Sequence, residues 1–108
     1  MQHVTIVGFR KALGTSLTIP MEMLHAADMI QRIEGKHSNK LTMQLVSPDG
    51  ANIPLTAGLE LVCSTPLQDI QKTDLIIVPA LWGNPTGIVR QQPELLSWLE
   101  HHNNQGTV

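Results

Sequence analysis

TDLIIVPALWG (residues 73–83) is the stretch on which the fold turns. From Leu75 to Pro79 every residue is apolar, with Asp74 before the run and turn formers after it. A strand apolar at every position suits a sheet covered on both faces, the usual condition of parallel sheets. The run predicts a central strand over 73–80, followed by the loop LWGNPTG. Working upstream, HVTIVGF (3–9) and LTMQLVS (41–47) are strands of the same kind. Between them the period changes. Leu17, Met21, Leu24, Ala27 and Ile30 recur at spacings of three and four, with Glu22, His25, Asp28 and Gln31 on the other side. This predicts an amphipathic helix over 16–33, with Ser16 as its N-cap, Pro20 in its first turn and Gly35 past its end.

RKALGT (10–15) and GKHSNK (35–40) read as loops, and SPDGANIP (47–54) as a turn centred on Asp-Gly. Short extended pieces fall near 53–55 and 59–63, and a short helix near 66–70. Downstream of the 73–80 strand, Pro93 opens a helix over 93–104 whose buried side is Leu95, Leu96, Trp98 and Leu99. The order β-α-β-(ββ)-α-β-α is that of a layered α/β fold. A helix closed by Gly106 and followed by Thr107-Val108 predicts the first residues of a further parallel strand, paired beside 75–79.

The 108 residues suit one domain. With 42% apolar and 15% charged residues the chain supports a packed core, which argues against disorder. The net charge is −2, and the seven basic residues are scattered apart from Arg10-Lys11, so this segment lacks the footprint of a nucleic-acid surface. A single cysteine, Cys63, leaves no internal disulfide, and with no signal peptide a reducing cytoplasm is the expectation. No apolar run approaches the roughly 18 residues that span a membrane.

SPDGANIPLTAGLEL, TDLIIVPALWG and PELLSWLEHHNNQGTV, together with the helix segment IPMEMLHAAD, resemble successive blocks of the PfpI/ThiJ superfamily, the class I glutamine amidotransferase-like domains. The pattern is most similar to the N-terminal domain of GlxA-like transcriptional regulators of the AraC family. The resemblance implies a flavodoxin-like three-layer α/β/α fold with a mostly parallel sheet, of which residues 1–108 are the N-terminal part. The strand bearing the superfamily's nucleophilic cysteine would follow Val108, and a helix-turn-helix domain would contact DNA. It also implies a non-catalytic ligand-sensing or dimerisation role. The alternatives are a fragment of a PfpI-like cysteine hydrolase or deglycase, or a structural fragment with no activity of its own. The expected partners are a small-molecule effector and a second copy or a complementing chain, with neither cofactor nor metal. The exposed sheet edge expected beside 75–79 predicts that an isolated 1–108 chain is oligomeric, complemented by another fragment, or poorly soluble.

The candidate ligand pocket comprises Arg10, Ser16, Leu81, Trp82 and Gly83. Ligands of open α/β sheets bind beyond the carboxyl ends of the strands, where the 9–15 and 80–83 loops emerge. Arg10 could meet an anionic effector; its plainer reading is a solvated loop cation. Ser16 stands where enzymatic superfamily members carry a glutamate, and a serine cannot serve as that acid or base. Ala80 and Leu81 stand where glycines would supply an oxyanion-binding N–H. Trp82 is a pocket wall or a packing residue. Cys63 has no charged neighbours and reads as structural. His101 and His102 are adjacent, so on a helix they point about 100° apart and cannot share a metal. Met21, Met23 and Met29 belong to a core or interface face, and the resemblance places the first helix near a dimer contact.

Overall fold

The computed structural model describes residues 3–35, 41–81 and 83–108. The expected loop residues Lys36–Lys40 (with His37) and the pocket candidate Trp82 lie outside them. The elements are β1 (His3–Val7), α1 (Gly14–Ile33), β2 (Thr42–Ser47), β3 (Ile53–Pro54), β4 (Glu60–Leu61), β5 (Thr65–Pro66), β6 (Leu75–Ile77), α2 (Pro85–Arg90) and α3 (Pro93–Asn104), with 3₁₀ turns at Thr56–Gly58 and Leu67–Asp69.

A four-stranded sheet runs β5-β2-β1-β6, every pair parallel. β3 and β4 form a separate antiparallel hairpin. Residues His3–Val7 pair one-for-one with Thr42–Val46 on one side, and Val4–Ile6 with Leu75–Ile77 on the other. Successive side chains of a strand point to opposite faces, yet Val4, Thr5, Ile6 and Val7 are all buried. Both faces of β1 are therefore covered, and the core forms around it from Val46, Phe9, Ala12, Leu17, Leu67 and Leu95. Fully burying an aliphatic side chain contributes about 1.5–3 kcal/mol, so β1 is a main source of stability.

The strand expected to be central has β1 paired on one side and, as expected of a strand starting near Thr107, Val108 paired on the other. β6 is shorter than the apolar run and borders the named sheet; its residues are only half-buried and Val78 is 50% exposed. Beside it, the Val108 N–H donates to Asp74 O (3.3 Å) and the Ile76 N–H donates to Val108 O (2.9 Å), the bonding pattern of a parallel pair. The chain thus turns back at Gly106 (φ +87°) into extended pairing along β6.

A polar cluster joins the strands at their amino ends. Thr5 Oγ1 donates to Thr73 Oγ1 (2.9 Å), and the His3 ring bridges Thr73 Oγ1 (Nδ1, 2.8 Å) and Gln44 Oε1 (Nε2, 2.6 Å). Thr107 Oγ1 donates to Thr73 O (3.1 Å). Buried hydroxyls need such partners, since leaving one unpaired costs about 1–3 kcal/mol.

α1 begins two residues earlier than its spacing indicates. Leu13 occupies the cap position and makes no side-chain bond; Ser16 lies in the first turn and Pro20 in the interior. Pro20 has no N–H to return to the Ser16 carbonyl four residues back. Only Leu17 of the predicted stripe is fully buried, Met21 and Leu24 pack partly against the core, and Ile30 is exposed. α1 ends as expected, with Gly35 in the left-handed region (φ +69°). α2 was not expected. Asn84 Oδ1 accepts from the Thr86 N–H (3.0 Å) and Pro85 opens the first turn, so residues that read as turn formers act as a helix start.

α3 has its predicted bounds, but its buried side differs. Leu95 is buried, Leu96 is 45% exposed, and His102 is 1% exposed. The His102 ring lies 4.4 Å from that of Trp98 and edge-on to His101 (5.4 Å). Neither His102 nitrogen has a hydrogen-bond partner among the described residues. Burial first, and then the neighbouring His101, lower the His102 pKa below 6.5; the Ile70 backbone opposes this, although its placement falls short of a hydrogen bond. The unfolded chain therefore takes up this proton first as the pH falls. His102 costs no stability above the unfolded pKa of about 6.5, and its penalty grows as the pH drops from there towards the lower folded value. Urea unfolding from pH 7.5 down to about 5 should show a shallower acid loss in His102→Gln than in the parent chain; an equal loss would place the acid sensitivity elsewhere.

Candidate functional site

From β1 the chain crosses through α1 to β2 on one side, while β6 lies on the other side of β1. Crossovers depart in opposite directions there, which is where a crevice opens at the carboxyl ends of α/β sheets. The loops leaving β1 and β6 meet at this point. Ala12 and Leu81 form an antiparallel bridge, and the Leu13 N–H donates to Ala80 O (3.0 Å). Ser16 Oγ donates to Leu13 O (2.6 Å) and accepts from the Ala80 N–H (2.9 Å). The serine expected to cap α1 thus bolts two loops together. Its proton is engaged, and so is the Ala80 N–H at the position considered for an oxyanion donor.

Arg10 and Leu81 do not share a cavity. Leu81 faces an apolar cleft of about 110 Å³ with Phe9, Val78, Pro79, Leu95 and Leu99. Gly83 is exposed in the left-handed region (φ +100°), with open space where a side chain would project. Arg10 lines a larger cavity of about 340 Å³ over the ends of β1 and β2, with Phe9, Asp49, Asn52, Ile53 and Gln92 among its walls. Phe9 and Gln92 border both spaces.

The 47–54 segment supplies the side of this cavity that the sequence reading treated only as a turn. Ser47 Oγ donates to Ala51 O (2.9 Å), and Asp49 Oδ1 accepts from the Ala51 N–H (3.0 Å). Asn52 Oδ1 accepts from the Cys63 N–H (3.0 Å), tying this loop to the segment that follows β4. Gly50 has φ +79°, and a Cβ there would sit 3.1 Å from the Pro66 ring and backbone nitrogen. The signal that points to this loop is its position: it leaves the carboxyl end of β2, as the expected loops leave β1 and β6.

Cys63 is buried, and its Sγ donates to Leu45 O (3.3 Å). No group of three or more metal-ligating side chains occurs among the described residues. Met21 packs against the core, while Met23 and Met29 are exposed on α1.

No protein-family model matches the sequence, and no curated protein does so. Solved structures do match. A protein of Vibrio parahaemolyticus described as a transcriptional regulator superposes with a TM-score of 0.79 at 17% identity, over 98% of this chain and 53% of that one. An AraC family transcriptional regulator from Pseudomonas putida gives 0.76 at 21% identity, over 99% of this chain and 53% of that one. Oxidized DJ-1 from Toxoplasma gondii gives 0.72 at 16% identity, over 100% of this chain and 53% of that one. The chain has the α/β fold common to DJ-1 proteins and these regulators, and it spans about half the length of the solved structures it matches.

Two substitutions test this geometry. Ser16→Ala removes the bolt between the loops and should lower stability by about 1 kcal/mol in urea unfolding while speeding amide exchange at Ala80; unchanged exchange would show that the bridge at Ala12 and Leu81 suffices. Gly50→Ala places a side chain in the left-handed region against Pro66 and should cost about 1–2 kcal/mol. Thermal unfolding at the parent midpoint would contradict the close approach.

Proposed function

We propose that this chain is the regulatory part of an AraC-type transcriptional regulator, a non-catalytic domain of a cytoplasmic protein that responds to a small molecule and assembles with a second copy. DNA contact would belong to a separate helix-turn-helix domain, a reading supported by the scattered basic residues of this segment, which offer no nucleic-acid surface. A ligand controls such a protein only by binding its two states with different affinity. The loops at the carboxyl ends of the sheet are where that difference would arise.

One observation carries the non-catalytic reading. At the loop pair where superfamily enzymes place an acid, this chain has Ser16, and its hydroxyl and the Ala80 N–H satisfy each other (2.9 Å). That leaves neither an acid–base group nor an uncommitted donor at this point for developing charge. The likeness to regulators over about half their length supports the regulatory role. The likeness to DJ-1 keeps the hydrolase or deglycase reading as the alternative.

The test is footprinting of the full-length protein on the DNA flanking its own gene, alongside amidase, peptidase and deglycase assays. The expected result is protected DNA, salt-dependent binding and no turnover. Turnover without DNA binding would overturn the proposal in favour of the enzyme.

A further inference from the structure

We infer that His102 is an acid-operated latch. Its ring holds the end of α3 closed while neutral, and its protonation opens that end together with the turn that carries Thr107 and Val108 onto β6. The inference does not depend on the regulatory reading.

The seat of this side chain suits a neutral ring. His102 is 1% exposed, and its ring lies 4.4 Å from that of Trp98. Neither of its nitrogens, nor the Trp98 Nε1, has a hydrogen-bond partner among the described residues. A neutral imidazole has one N–H to satisfy, whereas an imidazolium has two and carries a full charge. Burying a charge without a partner costs far more than burying the neutral group, so protonation favours any conformation that returns the ring to water.

The charged groups of the surrounding elements do not rescue the cation. On α3, His101 lies edge-on at 5.4 Å and opposes a second positive charge, while Glu100 is exposed. The 3₁₀ turn Leu67–Asp69, packed against α3, brings the exposed Asp69, and the exposed Lys72 follows it. α2, packed against the same helix, brings the exposed Arg90. Asp74, ahead of β6, accepts from the His3 N–H (2.9 Å). His102 forms no ion pair among the described residues. The Trp98 ring and the carboxyl end of the helix each favour a cation, but less than the lost solvation of a buried charge opposes it. Burial, and then His101, hold the His102 pKa below 6.5.

The backbone of the same residue closes the turn. His102 O accepts from both the Gln105 N–H (3.0 Å) and the Thr107 N–H (3.1 Å). The reversal at Gly106 then lets Thr107 Oγ1 donate to Thr73 O (3.1 Å) and the Val108 N–H donate to Asp74 O (3.3 Å), while the Ile76 N–H donates to Val108 O (2.9 Å). When the ring leaves its seat, the carbonyl that holds the turn moves with it. Little else resists, because every residue from Asn103 to Val108 is exposed except the half-buried Thr107. Leu95, about two turns earlier on α3, stays anchored in the core, so the opening is confined to the end of the helix.

The experiment is amide hydrogen exchange on the full-length protein at about pH 7.5 and about pH 5.5, with each rate corrected for the intrinsic pH dependence of exchange. The expected result is that protection of the Ile76, Thr107 and Val108 amides falls about three- to tenfold at the lower pH. Tenfold is roughly the limit for one ring that titrates near 6.5 when released. The Gly8 amide, which donates to Val46 O (2.8 Å) in the core of the sheet, should keep its protection. His102→Leu should abolish the fall, with His102→Gln as a second non-titrating variant in case the first does not fold. His101→Gln should retain the fall. Four results overturn the inference: unchanged protection at all three amides, an equal fall at Gly8, the same fall in a folded non-titrating variant, or loss of the fall in His101→Gln.

Discussion

A strand buried on both faces has no water to fall back on, so every backbone N–H and carbonyl of β1 needs a partner along the sheet. Parallel pairing with β2 and β6 meets that need, and it fixes much else. It forces a crossover, which α1 supplies; it places the β1 loop between the β2 and β6 loops; and it aligns all carboxyl ends at one rim. The geometry of the loop rim follows from hydrogen-bond saturation of five residues.

The two ends of the sheet have opposite characters. At the amino ends the His3, Thr5, Thr73 and Gln44 side chains satisfy one another and hold the strands in register. A slip of one residue would break that cluster and turn each side chain to the wrong face. At the carboxyl ends Ser16 and Ala80 are closed on each other, while Arg10, Asp49 and the Asn52 amide are left with capacity to spare. Rigidity at one rim supports unspent polarity at the other.

The fold was legible wherever periodicity was long. β1, β2, α1 and α3 each carry an unbroken pattern, and their bounds follow within a few residues. α2 was hidden because Asn84, Pro85 and Gly87 are turn formers by composition, and only the Asn84 bond to Thr86 reveals a helix start. His102 was read only as a histidine that cannot share a metal with His101, since nothing local marks a histidine for burial against an aromatic ring. The site was half legible. Position after a strand singled out Arg10 and Leu81, but which loops share a cavity depends on strand order. Asp49 and Asn52 join Arg10 because β2 lies beside β1, and Gln92 joins them from the start of α3, facts of tertiary packing that local sequence does not carry.

Cys63 sits where several of these restraints converge. Its amide is held by Asn52, its sulfur by the β2 carbonyl of Leu45, and its surface is nearly all covered. Its modification by an alkylating reagent should quicken when the segment after β4 lifts from β2. With one thiol in the chain, the rate of its modification becomes a built-in clock for that opening. Because the same asparagine belongs to the wall of the Arg10 cavity, the clock reports how firmly that wall is held, without a label being added.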